Sequence, residues 1–516
     1  MSNYHPFLHH LAPPSGGFYI FAAIMAKQQD TSENTLFAKV VSHAKEYGFV
    51  YQSSEIYDGL AAVYDYGPWG AELKKNLKDI WWTAMTRLNH NVVGLDSAIF
   101  MHPTTWKASG HVDSFNDPMI DNKDSKKRYR ADVLIEDKAA QLEKEGKADE
   151  GKALVEKMAS LLEADDLAGV RDLIIEAGIV CPESGTDNWT DVRQFNLMFD
   201  TKIGSVADDS STIYLRPETA QGIFVNFLNV QKTSRQKVPF GIAQIGKAFR
   251  NEIVARQFIF RMREFEQMEM QYFVRPNTEM EAYESWRERR MKWHQALGIP
   301  ADKLRLHKHE KLAHYANAAE DIEFEFPFGW KEVEGIHSRT DFDLKAHQEY
   351  SKKKMQYFDP EVNQNYIPYV VETSVGADRL FLMHLCSAYT EQEVGEGDKV
   401  KTRIFLKLHP AVAPVKAAIF PLVKKDGLPE KAMEIFNSLN HRFNLVYEEA
   451  QSIGKRYTRQ DLIGTPFCVA VDHQTLEDNT ITIRHRDTTE QERIPISELE
   501  GRLAEACSPL RIYEQL

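Results

Sequence analysis

Between positions 240 and 272 the chain alternates apolar and polar residues twice, with a break between the two runs. From Phe240 to Glu252, Ala243, Ile245 and Phe249 fall on one side, while Gln244, Arg250 and Glu252 fall on the other. From Phe260 to Tyr272, Met262, Met268, Met270 and Tyr272 share one side, and Arg261, Arg263, Phe265, Gln267, Glu269 and Gln271 the opposite one. A period of two is the signature of a strand with two unlike faces. Joined through 253–257, the runs predict an antiparallel hairpin with one polar, arginine-rich face. On that face three arginines, one aromatic ring and two carboxylates converge. The set suits a nucleotide, with arginine forks for phosphates, a ring to stack on a base and a carboxylate for its polar edge. On periodicity alone, a solvated outer face of a sheet explains the mixed charges as well.

Elsewhere the period changes. Leu73, Leu77, Ile80 and Trp81 recur at helical spacing within 70–88, with lysines predicted on the far face. Residues 135–180 are rich in Glu, Lys, Ala and Leu, and Leu154, Met158, Leu161 and Leu162 predict a helical insertion. After His409-Pro410 the pattern becomes short alternating elements. Strands are predicted over 415–421, 445–449, 467–471, 480–485 and 492–495, and helices over 429–441 and 454–462. Strands alternating with helices predict a small α/β domain at 409–516. Its second helix opens with Lys455, Arg456, Arg459 and Gln460, a partly basic turn that could meet RNA or only water.

A chain of 516 residues exceeds one ordinary core, so two or three domains are expected. Four cysteines lie far apart with no Cys-x-x-Cys pair, which argues against a disulfide framework or a cysteine zinc site and for a reducing, cytosolic setting. No apolar run reaches the length of a membrane span. Residues 1–26 hold a short apolar run but no Lys or Arg, so the positive region of a signal peptide is missing. Residues 1–24 are expected to be a disordered extension ahead of a catalytic domain over 25–408. The net charge is −13, yet 231–263 contains eight Lys/Arg and one acid, Glu252. A basic island in an acidic chain calls for an anionic partner or a structural reason. No Ser/His/Asp or Cys/His arrangement for nucleophilic catalysis stands out.

Longer strings carry a resemblance. Phe249-Arg250-Asn251-Glu252 followed by Arg263-Glu264-Phe265 looks like motif 2 of class II aminoacyl-tRNA synthetases. Arg216-Pro217-Glu218-Thr219-Ala220-Gln221-Gly222 and Gln244 to Ile253 resemble glycyl-tRNA synthetases of the homodimeric type. Asp65-Tyr66-Gly67-Pro68-Trp69-Gly70 looks like that family's motif 1, and Gly376-Ala377-Asp378-Arg379-Leu380 like motif 3. The match runs from about Phe37 to the C-terminus. It implies an α+β catalytic domain on a mostly antiparallel sheet, a C-terminal α/β anticodon-binding domain, and a homodimer joined near motif 1. It also implies an insertion near the tRNA acceptor stem and a cytoplasmic enzyme. That enzyme would activate glycine with ATP and Mg2+ and pass it to tRNA(Gly).

Site residues follow by resemblance. Arg250 and Arg379 would be catalytic, Arg250 at the α-phosphate and Arg379 stacked on adenine and reaching the γ-phosphate. Glu252 would read the adenine amino edge, Phe265 would stack on its other face, and Arg261 and Arg263 would meet the bent triphosphate. Asn251, Phe260, Met262, Glu264, Glu332, Val333, Gly376, Ala377 and Asp378 complete the ATP set. Glycine would be held by Glu218, Glu269, Glu372 and Ser374, with Arg130, Phe265, Glu266, Gln267, Met268, Thr373, Val375 and Gly376 around them. Glu332 and Glu372 are the magnesium candidates. Arg339 belongs near the substrate or in a structural ion pair, as does Arg130. Ile253-Val254-Ala255-Arg256 departs from the family's commoner Ser/Thr-Pro, which bears on tRNA contact. His337 replaces a smaller residue and is read as packing. The alternatives are a sister enzyme for another amino acid, a tRNA-independent adenylate-forming enzyme, and a non-catalytic nucleic-acid-binding relative; the last would lack Arg250 or Arg379.

Overall fold

The computed structural model describes residues 35–204, 212–253, 257–309, 312, 316–395 and 400–516. The predicted N-terminal extension and most of the Ile253–Arg256 loop lie outside these residues.

Helix α1 (Pro68–Thr86) starts where Pro68 presets the first turn. It buries Leu73, Leu77, Ile80 and Trp81 against a sheet. Strand β1 (Val92–Gly94) follows. Next comes a small subdomain of β2 (Asn116–Asn122), β3 (Lys127–Arg130), α2 (Ala131–Lys144), α3 (Ala148–Glu163), α4 (Leu167–Glu176) and β4 (Arg193–Asn196). It closes on its own core of Ile120, Ile135, Val170, Ile174 and Trp189. The excursion is therefore wider than the predicted helical stretch. Three helices sit on a three-stranded sheet whose short strands, rich in charge, carry no clear alternation.

Helix α5 (Ala220–Thr233) leads into the predicted hairpin, β5 (Phe240–Phe249) and β6 (Glu264–Val274). Then follow α6 (Glu279–Ala296), β7 (Leu304–Lys308), β8 (Ala318–Phe326), β9 (Gly329–Thr340), α7 (Phe342–Ser351), β10 (Tyr369–Gly376) and α8 (Ala377–Ala388). The central sheet has the order β7-β8-β9-β10-β6-β5-β1. Every pair is antiparallel except β1 with β5.

The hairpin is shorter, and its loop longer, than the alternation predicts. The ladder runs from Phe273↔Phe240 to Glu264↔Phe249 and stops there. The described residues 250–253 and 257–263 lie beyond the ladder, with a single turn of 3-10 helix at Phe258–Phe260 and one backbone bond, Arg250 N–H to the Arg263 carbonyl, at their base. Apolar and polar residues keep alternating in the sequence there, but beyond that bond no described strand pairing supports them. One sheet face packs on α1, α6 and α8 through Met268, Met270, Ile336, Val371 and Val375. The other is half covered by α5 and α7 through Phe224, Phe227, Phe273 and Val370. What α5 and α7 leave uncovered is the floor of the site. The lysines of α1 do not all face water. Lys74 is buried, because Asp378 and Glu266 supply carboxylates for it.

The C-terminal domain has β11 (Ala417–Pro421), α9 (Leu428–Leu439), β12 (Leu445–Tyr447), α10 (Ile453–Ile463), β13 (Phe467–Val471), β14 (Thr480–His485) and β15 (Gln491–Pro495). Its sheet order is β12-β11-β13-β14-β15, parallel in the first two pairs and antiparallel in the rest. Short helices at His473–Asp478 and Ile496–Ala506 are additions to the sequence reading. Arg456 and Gln460 turn inward rather than presenting a basic surface. Arg456 Nη1 donates to the carbonyls of Pro421 and Glu448, and Gln460 accepts from Thr465. None of the four cysteines is paired, and no described helix is long and apolar enough to cross a membrane.

Candidate active site

Two adjoining recesses lie on the open sheet face. The first is lined by Arg250, Glu252, Phe260, Arg261, Met262, Phe265, Gln267, Glu332, Ser374, Gly376, Asp378 and Arg379. Arg250 sits at the end of β5 with its Nε 3.1 Å from the Pro217 carbonyl and its guanidinium over the rings of Phe265 and Phe115. Arg379, in the first turn of α8, lies 4.5 Å over Phe260 and pairs with the Glu332 carboxylate at 2.9 Å. The Arg379 charge also holds the Glu332 carboxyl below the usual carboxylate range. Cationic planes and an aromatic ring around one recess are what a nucleoside triphosphate requires.

Several residues expected there have other contacts. Arg263 donates to the carbonyls of Glu252 and Ala61 and so pins the loop. Glu264 pairs with Lys247 across the hairpin. The Asn251 backbone donates to Leu197. Val333 and Ala377 are core residues. Asp378 reaches the recess but spends its carboxylate on Lys74, Tyr66 and the Glu266 N–H.

The second recess is built by register. Glu269 of β6 faces Gln244 of β5 and Ser374 of β10, and Gln271 faces Glu372. Period two then places Glu269, Gln271, Glu372 and Ser374 on one surface. Glu372 is buried and receives Gln271 at 2.6 Å, His337 Nδ1 at 2.8 Å and Arg339 at 3.4 Å. Burial raises its proton affinity, but Arg339 and His337 outweigh that and keep it ionised. Glu218, just before α5, lies beside His111 at 3.5 Å and accepts from Gln221 at 2.9 Å. His111 and Arg339 hold it well below the carboxylate range against its burial.

Glu269 is different. Its hydrogen-bond partners among the described residues are neutral: Thr219, Ser374 at 2.8 Å and Gln267 at 3.1 Å. Burial, then the charges of Glu372 and Glu218, push its carboxyl up to about 8. Three carboxylates thus share one buried space, and one of them has no ion-pair partner among the described residues. Such a cluster awaits a cation. Gln267 and Ser374 hydrogen-bond to Glu269 and also line the first recess, so the carboxylate cluster borders that recess.

Other expected neighbours of this pocket point away. Glu266 faces Lys74 and Lys78, while Met268 and Val375 lie in the core behind the sheet. Thr373 shares that buried face. Arg130 sits at the end of β3 with Asp117 and Asp132. The two magnesium candidates are committed to different partners, Glu332 to Arg379 and Glu372 to three donors. His337 is a hydrogen-bonding residue rather than packing. Sequence reasoning missed Thr219 and His111 as site residues. Thr219 could have been found from its place beside Glu218 at a helix start, whereas His111 has no local signal.

A core of antiparallel strands whose arginines frame one pocket defines a class II tRNA synthetase catalytic domain, and comparison with known proteins agrees. The tRNA synthetase class II core domain (G, H, P, S and T) matches residues 200–387, and the anticodon binding domain matches 416–506. The glycyl-tRNA synthetase insertion domain 1 matches 117–154 and 146–197. The chain is 59% identical over 461 residues to a glycine–tRNA ligase of Chlorobaculum tepidum, covering 89% of this chain and 97% of that protein. It is 54% identical to one of Staphylococcus haemolyticus (90% and 98% covered) and 52% identical to one of Staphylococcus aureus (93% and 99% covered). The chain belongs to the glycine–tRNA ligase family.

Proposed function

We propose that this chain activates glycine with ATP to glycyl-adenylate and transfers the glycyl group to the 3′ end of tRNA(Gly). The observation that carries this reading is Glu269, a buried carboxyl without an ion-pair partner among the described residues, one hydrogen bond away from Gln267 and Ser374 of the arginine-framed recess. An α-ammonium placed among Glu269, Glu218 and Glu372 would supply the missing cation. Its carboxylate would then point toward the recess where Arg250 meets the α-phosphate. Both steps demand positioning and charge neutralisation rather than a covalent enzyme intermediate. Glu252 would read the adenine edge, Phe265 and Arg379 would stack on the base, and Arg261, exposed at the rim, would meet the outer phosphates.

Selection of glycine would work by exclusion. A methylene changes binding by only about 1–3 kcal/mol in an apolar pocket, so steric rejection of any side chain would be the stronger filter. Magnesium would supply charge neutralisation between phosphates. Glu332 fits that role better, because it lines the nucleotide recess and its side chain is about half exposed, with Arg379 as its charged partner. Glu372 does not fit, because three donors already occupy it.

The C-terminal domain would hold the anticodon arm and the 117–197 subdomain the acceptor end, in a cytoplasmic homodimer. Ile56 and Tyr57, 87% and 79% exposed just ahead of α1, support a subunit interface there. Sedimentation should give a dimer; a fully active monomer would remove that part of the proposal. Charging of tRNA with labelled glycine, alanine and serine tests the substrate. Glycine alone should be incorporated, and incorporation of another amino acid in its place would overturn the assignment.

A further inference from the structure

Beside the carboxylate pocket, on the same sheet face, His309, Asp321 and His337 converge. One ligating atom from each lies within 4.8 Å of the others, and among the described residues this is the one such trio. Register builds it. Asp321 of β8 stands opposite Gly335 of β9, and His337 follows two residues on, opposite Ala319. His309, just past β7, is tied by its N–H to the Ala319 carbonyl. His309 Nε2 lies 2.8 Å from one Asp321 oxygen and His337 Nε2 4.0 Å from the other. Around a tetrahedral zinc ion with bonds of about 2.0–2.1 Å, ligand atoms stand roughly 3.3 Å apart. The two separations straddle that value.

Two further features fit a metal. His337 Nδ1 lies 2.8 Å from Glu372 Oε1. With that nitrogen donating, Nε2 keeps its lone pair and points at Asp321, the carboxylate–histidine pairing that orients metal ligands. Gly335 leaves the space in front of it open. A Cβ there would lie 2.9 Å from His337 Cε1, 3.2 Å from Nε2 and 3.6 Å from Asp321 Oδ1. The Glu332 charge also acts on Asp321, and the nearby cations Arg339 and Arg379 are already paired.

We infer that His309 Nε2, Asp321 and His337 Nε2 bind one divalent transition metal of the zinc class, leaving the remaining coordination positions to water. Two imidazoles and a carboxylate suit zinc or cobalt better than magnesium, which prefers an all-oxygen shell. The bound ion would replace the proton shared by His309 and Asp321. It would also fix the His337 ring and, through it, the Glu372 carboxylate. The inference does not depend on the glycine reading, because metal binding can be measured without any catalysis.

The test is a cobalt(II) titration of untagged, chelator-stripped, full-length protein, followed by visible absorption and then displacement with zinc. A ligand-field band should saturate at one equivalent and collapse when zinc is added. His309→Ala and Asp321→Asn should each weaken binding by at least about tenfold, while His441→Ala, on the far domain, should bind as wild type does. His309 is one-third exposed at a strand end, so its truncation leaves the fold intact and decides the matter alone if Asp321→Asn does not fold. Absence of a saturable band, or an equal band in His309→Ala, would overturn the site.

Discussion

Lys74 Nζ lies 2.6 Å from Asp378 Oδ1, both side chains buried, and this contact fastens α1 to the first turn of α8. The same carboxylate accepts from the Tyr66 hydroxyl and from the Glu266 N–H at 2.7 Å. Residues from three distant stretches of chain thereby meet immediately beside Arg379. Removing one partner of a buried pair leaves an uncompensated charge and costs about 3–5 kcal/mol. Asp378→Ala should lower the urea midpoint of unfolding accordingly. A midpoint unchanged from wild type would mean the pair contributes no stability.

Arg250 is the group best placed to neutralise a phosphate. It has no carboxylate partner among its described contacts, only the Pro217 carbonyl and two rings. Arg250→Ala should slow adenylate formation by roughly 10²–10³-fold, the usual consequence of losing a preorganised charge at a transition state. Its thermal unfolding should match wild type. Formation of glycyl-adenylate at the normal rate would remove Arg250 from the mechanism.

How much of this was legible from residues alone depends on what the ladder enforces. Within β6 the alternation reports the facing correctly: Phe265, Gln267, Glu269 and Gln271 share one face, and Met268, Met270 and Tyr272 the other. Beyond the strand it misleads. Arg261 and Arg263 continue the period of two in a loop, where backbone bends rather than pleats decide direction, and Arg263 turns to pin the loop. Burial of polar and charged side chains was the other blind spot. Lys74, Arg456 and Gln460 look like surface residues in one dimension, and only a distant carboxylate, carbonyl or hydroxyl makes their burial tolerable. His337 was hidden for the same reason, since its partner Glu372 comes from another strand.

Glycine binding should depend on pH through Glu269. In the empty pocket burial and the neighbouring charges hold its carboxyl at about 8, so near neutral pH it carries a proton. An ammonium binds to the ionised form, so that proton must leave as glycine enters. Affinity for glycine should therefore rise with pH, by up to about tenfold per unit below pH 8, and level off above it. Glu269→Gln should bind glycine weakly with a flat profile. Glu372→Ala should also raise the glycine KM or lower kcat while leaving ATP affinity alone. A wild-type profile that stays flat from about pH 6.5 to about pH 8 would show that Glu269 is already ionised.

The central claim is that the arginine recess and the carboxylate pocket form one site for ATP and glycine. The most direct measurement is amino-acid-dependent pyrophosphate–ATP exchange, without tRNA, against all twenty amino acids. Exchange with glycine alone is the predicted result. Exchange driven by another amino acid, with none from glycine, would contradict it.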